Sequence, residues 1–349
     1  MRIIHVLHSH GYGGAENHVI IMMRGQIAQG HDVMFAGPLD SWLGKACAEH
    51  GIAATHLPMH GLFDVLSHWQ LRRLAKRFRA DVIHGHLIRG SFYAGVAGHK
   101  DHKPLAICSA HTTNALKHMG RCKHIIADSQ AIERNLVAHG YAADGISVIY
   151  TGVPDAPLQD RAAIRRELGM DEDTIAVVHA GRFIKDKGQD TLVEAMRLVT
   201  HPKVRLFLIG GNDTAFAKEV AQIPQDAARV NYLGFRSDVQ RLLQGFDIYV
   251  QPSRREGLPL AVSEAFVARL PVIASTVGGM PEVVLHEQTG LQVPPEDPVA
   301  LAAAISRLAH DRDLAARLAY SGRVFYDQHL TEGTMVKRAL GLYKQFLPA

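Results

Sequence analysis

Short apolar runs recur along this chain, each followed by a stretch of helical periodicity, and the series is played through twice. Residues 3–7, 32–36, 82–86, 105–110, 124–127 and 147–150 read as strands, with helical patterns between them such as 15–29, 69–79 and 130–139. Continuous rather than alternating apolar runs suit strands covered on both faces. Strand and helix in turn predict an α/β fold, a doubly wound parallel sheet with its ligands at the carboxyl ends of the strands. Residues 151–159 (TGVPDAPLQ) break the pattern with two prolines and a glycine, as a linker does. A second series follows, with strands at 175–180, 205–209, 230–233, 248–251, 272–275 and 290–293 and helices such as 191–199, 238–243 and 298–309. A length of 349 residues suits two such domains.

Composition narrows the function. The chain is 47% hydrophobic and 21% charged, ordinary values for a soluble globular protein. No apolar run approaches a membrane span, and the apolar start is too short for a signal peptide. Three separated cysteines, Cys47, Cys108 and Cys122, argue against a disulfide framework or a zinc site and for a cytoplasmic location. The net charge of +4 suits an anionic ligand or membrane surface; nucleic acid is not an expected partner.

Residues 254–281 (RREGLPLAVSEAFVARLPVIASTVGGMP) hold the densest chemistry. Glu256 precedes a short helix and Glu264 lies inside it, while Pro259 fits the first turn, where a missing N–H costs nothing. Free amides at that helix start attract an anion. Two carboxylates beside an anion site suit a ligand bearing phosphate and hydroxyl groups; two solvated surface glutamates are the plainer reading. Residues 180–188 (AGRFIKDKG) put Arg182 and Lys187 on a loop at a strand's carboxyl edge, where each can meet phosphate. The first strand runs into Gly11-Tyr12-Gly13-Gly14-Ala15-Glu16, which fails the dinucleotide fingerprint because Glu16 stands where its third glycine belongs.

Histidines gather at strand ends: His8, His10, His84, His86 and His111. No carboxylate or cysteine stands at ligand spacing beside them, so no metal is expected. Residues 69–79 (WQLRRLAKRFR) form an amphipathic pattern with Leu71, Leu74, Ala75 and Phe78 on one face and Arg72, Arg73, Lys76, Arg77 and Arg79 around the rest. Such a helix either packs on the domain with its charges in water or lies on anionic lipid.

Taken together, Gly181-Arg182 with Lys187-Gly188, then Glu256-Gly257-Leu258-Pro259 with Glu264-Ala265, resemble the donor half of the retaining glycosyltransferases of family 4 (group 1). Gly13-Gly14-Ala15-Glu16 and His111 resemble features of that family's N-terminal half, and the likeness covers nearly the whole chain. It implies the GT-B fold, two Rossmann-like domains facing each other across a cleft. The expected division is 1–152, an acceptor domain, 153–330, a nucleotide-sugar domain, and 331–349, a helix returning to the first, with residues 340–346 as the returning segment.

The resemblance also implies roles. Arg182 and Lys187 would neutralise the donor diphosphate, Glu256 would contact the transferred sugar, and Glu264 the ribose. Amides of Gly257, Leu258, Pro259 and Leu260 would surround the phosphate site (proline lending its neighbours' geometry, having no N–H), and Phe235 and Arg236 would hold the base. Gly13, Gly14 and Glu16 would form the phosphate and acceptor loop, and His111 would hydrogen-bond the sugar. No metal or other cofactor is implied, and a UDP-linked donor is favoured over GDP or ADP. The acceptor would be a glycan or lipid-linked saccharide in lipopolysaccharide or surface polysaccharide synthesis. Arg72, Arg73, Lys76 and Arg77 would give peripheral contact with the cytoplasmic face of the membrane. Where many relatives have Asn-Gly at the linker, this chain has Thr151-Gly152. A same-fold nucleotide-sugar epimerase and a non-catalytic nucleotide-sugar binder are the competing readings; a two-carboxylate glycosidase and an NAD dehydrogenase fit less well.

Overall fold

The computed structural model describes residues 1–113, 117–211, 213–226 and 229–347. The chain divides into two compact units, one formed by Met1–Pro154 with His329–Ala349 and the other by Asp155–Gln328.

In unit 1 the strands are β1 (Arg2–Val6), β2 (Asp32–Gly37), β3 (Ala53–His56), β4 (Val82–His86), β5 (Leu105–Ala110), β6 (His124–Ala127) and β7 (Ile146–Val148). They form one parallel sheet in the order β3-β2-β1-β4-β5-β6-β7. The order reverses between β1 and β4, which opens a crevice at their carboxyl ends. Core lies on both faces. Ile3, Val82, Leu105 and Ile107 pack to one side with the helix Gly14–Ala28, and Ile4, Val6, Ile83 and Ala106 to the other with the helix Leu87–Ala97. Each Val, Leu or Ile among them, fully buried, stabilises by about 1.5–3 kcal/mol over an exposed one. The final helix, Glu332–Phe346, joins the first core through Met335, Val336, Ala339, Leu340 and Tyr343. It comes close enough to the helix Gly14–Ala28 that a Cβ on Gly25 would stand 2.6 Å from Val336 Cγ2.

Unit 2 repeats the plan with β8 (Ile175–Ala180), β9 (Val204–Ile209), β10 (Val230–Gly234), β11 (Ile248–Gln251), β12 (Val272–Ser275) and β13 (Gly290–Val293), ordered β10-β9-β8-β11-β12-β13. All its pairings are parallel and the reversal lies between β8 and β11. Two expectations need correction. β3 was not foreseen: its Ala-Ala-Thr-His is short, half exposed and at the sheet edge. Pro259 stands one position earlier than expected, at the N-cap of the helix Leu260–Val267.

Unit 1 is left and re-entered at one place. Val153 N donates to Leu330 O at 3.0 Å and Glu332 N donates to Val153 O at 3.0 Å. A Cβ on Gly152 would lie 2.3 Å from the Thr331 carbonyl oxygen, so the close passage requires glycine there.

Candidate active site

The carboxyl ends of β8 and β11 flank the reversal in unit 2, and the loops that leave them are fastened together. Lys187 Nζ reaches Glu256 Oε1 at 2.5 Å. The same oxygen accepts from Ser253 Oγ at 2.7 Å and Gln251 Nε2 at 3.0 Å, and Gln251 is turned by Tyr249, whose hydroxyl donates to Gln251 Oε1 at 2.6 Å. A largely buried ion pair holds only when further hydrogen bonds serve its atoms, and these do. Arg254 forks onto Asp190, both bonds 2.8 Å, and its backbone N–H donates to Asp186 O at 2.8 Å. Glycines permit the contact. A Cβ on Gly188 (φ +68°) would lie 2.1 Å from Pro252 O, and one on Gly278 (φ +54°) 2.0 Å from Glu256 O. Gly279 N donates to Gly257 O at 2.8 Å, so the glycine pair clamps the turn that carries Glu256.

Around this frame stand the residues expected to meet an anion. Arg182, at the end of β8, is exposed and has no ion pair among the described residues. In the first turn of Leu260–Val267, Val262 N donates to Pro259 O at 3.2 Å while the Leu260 and Ala261 amides have no carbonyl one turn back in the helix, and Gly257, Leu258, Pro259 and Leu260 are buried against the frame. Glu264, one turn inside that helix, accepts from Gln240 Nε2 at 3.4 Å. Burial raises its pKa above the ordinary carboxylate value, and the Gln240 hydrogen bond opposes the rise. Phe235 follows β10 and is largely exposed. Arg236, expected to help hold the base, has its guanidinium on Asp238 and Glu167 at 2.8–2.9 Å. It belongs to an Arg236–Asp238–Arg241–Glu167 network. Gln251, Ser253, Arg254 and Gln240 are the residues sequence reasoning missed. Only their nearness to Glu256 in the chain could have hinted at the first three.

Unit 1 offers a different chemistry. Gly13 is the extended N-cap of the helix Gly14–Ala28, Gly14 is exposed, and Glu16 is buried in the first turn. At the carboxyl ends of the central strands lies a line of buried side chains. His111 Nδ1 donates to Asp128 Oδ2 at 2.7 Å, His111 Nε2 meets His86 Nδ1 at 3.0 Å, His86 Nε2 meets His5 Nδ1 at 2.9 Å, and His5 Nε2 meets Gln26 Oε1 at 2.8 Å. Burial alone would raise the Asp128 pKa, but the charge and hydrogen bond of the His111 ring hold it below its usual value. Burial depresses His5 to about 4 and His18 to about 3, so both rings are neutral. His111, expected to hydrogen-bond the sugar, has its ring nitrogens beside Asp128 and His86 within unit 1.

The basic helix runs Val65–Phe78, longer than its sequence pattern suggested because Asp64 caps it, accepting from Ser67 N at 3.1 Å. Its expected lipid face is not free. Leu71 and Ala75 are buried in the unit 1 core, and Leu74 and Phe78 pack against it. Arg72, Arg73, Lys76 and Arg77 are exposed, although Arg72 donates to Val96 O at 2.9 Å and Arg73 lies over the Trp69 ring. Exposed apolar side chains sit one turn earlier instead, with Phe63 79% and Val65 78% accessible, followed by Leu66 and Trp69. No helix among the described residues is long and apolar enough to cross a membrane.

Comparison with known proteins matches residues 160–325 to the family model described as glycosyl transferases group 1, and residues 12–156 to that of glycosyltransferase family 4. A D-inositol 3-phosphate glycosyltransferase of Streptomyces avermitilis is 27% identical over 301 residues, 81% of this chain and 62% of that protein. A lipopolysaccharide core biosynthesis glycosyltransferase, LpsD, of Rhizobium meliloti is 29% identical over 286 residues, 79% of this chain and 78% of that one. Against two other curated matches the chain spans about half their length (54% and 51%). Among solved structures, Anabaena Alr3699/HepE in complex with UDP superposes with a TM-score of 0.85 at 21% identity, covering 99% of this chain and 100% of that one.

Proposed function

The chain belongs to the group 1, family 4 glycosyltransferases, and from that membership we propose that it moves a sugar from a nucleoside-diphosphate sugar to a glycan or lipid-linked acceptor with retained configuration. The observation that carries the reading is the Lys187–Glu256 clasp at the sheet reversal of unit 2, with the exposed Arg182 on the same loop as Lys187. A diphosphate meets Arg182, Lys187 and the amides at the start of Leu260–Val267. Charge growing on it as the sugar leaves is stabilised by groups already held in place, which spares reorganisation during reaction. Glu256 keeps one carboxylate oxygen, Oε2, clear of the clasp, and that oxygen faces the sugar or its phosphate. Glu264, held by Gln240, takes the ribose hydroxyls. No enzymic nucleophile is assigned; the leaving phosphate takes the acceptor's proton on the same face. In unit 1, Gly13, Gly14 and Glu16 form the acceptor loop.

A UDP-linked donor is favoured because the similar Anabaena structure holds UDP, and a lipopolysaccharide or surface polysaccharide acceptor because LpsD acts in core biosynthesis. The exposed Phe63, Val65, Leu66 and Trp69, with Arg72, Arg73, Lys76 and Arg77, make the lead-in and face of Val65–Phe78 a contact for anionic lipid.

Calorimetric titration with UDP, GDP and ADP, without metal, tests the donor half. One nucleoside diphosphate binds, and Glu264→Ala weakens it at least tenfold. Failure of all three to bind, or equal binding by the variant, would reject the site. Release of sugar without any acceptor, or turnover to an epimer, would favour the epimerase reading.

A further inference from the structure

Arg89 is a half-buried cation held in place without a counter-charge. It stands in the first turn of the helix Leu87–Ala97, which leaves the carboxyl end of β4 at the sheet reversal of unit 1. Its Nη1 donates to Met59 O at 2.8 Å and lies 2.9 and 3.0 Å from the ring nitrogens of His8, just beyond the end of β1. Nε and Nη2 have no partner among the described residues, and no carboxylate among them lies within ion-pair distance of the guanidinium. Nε and Nη2 form one edge of the planar group, the same edge by which Arg236 grips both oxygens of Asp238 in unit 2. Arg89 therefore offers a paired donor edge, anchored from behind, that no described side chain takes up.

Imidazoles surround it. Burial, then the charges of Arg89, His10 and His60, lower the His8 pKa from its ordinary value, so all three face that ring. His10 stands edge-on to His8 with the ring centroids 5.4 Å apart. The neighbouring carboxylates leave Arg89 unpaired. Asp64 caps Val65–Phe78 and accepts from Ser67 N, Ser67 Oγ and His60 N, and the exposed Asp40 stands 3.8 Å from His10. The helix start is packed tightly over the crevice: Leu87 has a left-handed φ of +57°, and a Cβ on Gly90 would lie 2.3 Å from Val6 O. His86 gives no side-chain cap, so the first amides of Leu87–Ala97 add to the same positive field.

We propose that Arg89, with His8, His10 and His60 around it, binds a phosphate group carried by the acceptor; the assignment to the acceptor rests on the transferase reading above. A carboxylate would need the arginine alone. A phosphate ester carries a second charge that titrates near pH 6, and imidazoles take up protons over the same range, so cluster and phosphate neutralise each other near neutral pH. Two phosphate oxygens meet Nε and Nη2. The exposed Phe63, Val65 and Leu66 follow closely on His60 in the chain, and the Phe63 ring lies 5.7 Å from that of Phe92, on the same helix as Arg89. They offer an apolar path to an alkyl chain on that phosphate.

The test titrates full-length protein, saturated with UDP to fill the phosphate site of unit 2, with pyrophosphate in a calorimeter. One equivalent binds. Arg89→Gln weakens it at least about tenfold, and Arg89→Lys recovers part of the loss. Arg89 also holds Met59, so melts check that both variants fold, and the exposed His60→Ala gives an independent readout, a loss of about twofold to fivefold. The isotherms are read with and without UDP, so failure of UDP to bind would sink the donor reading and leave the Arg89 result standing. Two further titrants separate the sources of the phosphate: a soluble glycosyl phosphate, and dodecyl phosphate in neutral phosphatidylcholine vesicles. Tighter binding of the alkyl phosphate, lost when Phe63 and Leu66 become Ser, assigns a lipid-linked acceptor; equal affinities assign a phosphorylated sugar in solution. No pyrophosphate binding, or binding indifferent to Arg89→Gln and His60→Ala, would overturn the proposal.

Discussion

Arg182 and Lys187 carry the same charge on one loop but stand in different circumstances. Arg182 is exposed without an ion pair among the described residues, so Arg182→Ala should cut kcat/KM by about 10²–10³-fold while leaving Tm nearly unchanged. Lys187→Ala should lower both, because Glu256 then keeps Ser253 and Gln251 but loses its Lys187 partner, a cost of about 1–3 kcal/mol. Equal Tm for the two variants would mean that the clasp does not contribute to the fold. At this scale the charged residues were legible and their supports were not. A lysine and a glutamate announce chemistry wherever they stand. Gln251 and Ser253 acquire a role only when β11 ends and turns both toward one carboxylate oxygen.

Elements carry the backbone constraints. Gly278→Ala should destabilise unit 2 by more than about 2 kcal/mol and weaken UDP binding, since the new Cβ meets the Glu256 carbonyl at a left-handed φ. Gly169→Ala, also at positive φ (+64°) but with nothing within 4 Å, should cost about 1 kcal/mol and spare binding; urea melts and calorimetry separate the two. The Val65–Phe78 helix gives a second contrast. Replacing Phe63, Leu66 and Trp69 by Ser should release the protein from anionic vesicles in co-sedimentation, and charge reversal at Arg73 and Arg77 should do the same. Retention of both variants would end the lipid reading. The strands of both sheets were readable because they are continuous apolar runs. β3 was not, because an edge strand needs little burial, and the lead-in of Val65–Phe78 was not, because periodicity cannot tell a face that meets core from one left bare.

Across a whole unit, buried rings set the response to acid. His179 is fully buried, its Nδ1–H donates to Val250 O at 2.9 Å, and burial depresses its pKa to about 4. An unfolded histidine takes up its proton near pH 6.5. Between those values the unfolded state holds more protons, so stability falls as pH falls, by up to about 1.4 kcal/mol per unit, and the loss levels off below about pH 4. His179→Leu should flatten that slope between urea midpoints measured at pH 7 and pH 5; an unaltered slope would mean that the folded ring is already charged. The join at Val153, Leu330 and Glu332 has a consequence of another kind. Because unit 1 is cut open and sewn shut at one point, residues 155–328 are a cassette spliced into a host whose edges already touch. Evolution, or a protein engineer, can exchange that cassette through two neighbouring seams without redrawing either sheet.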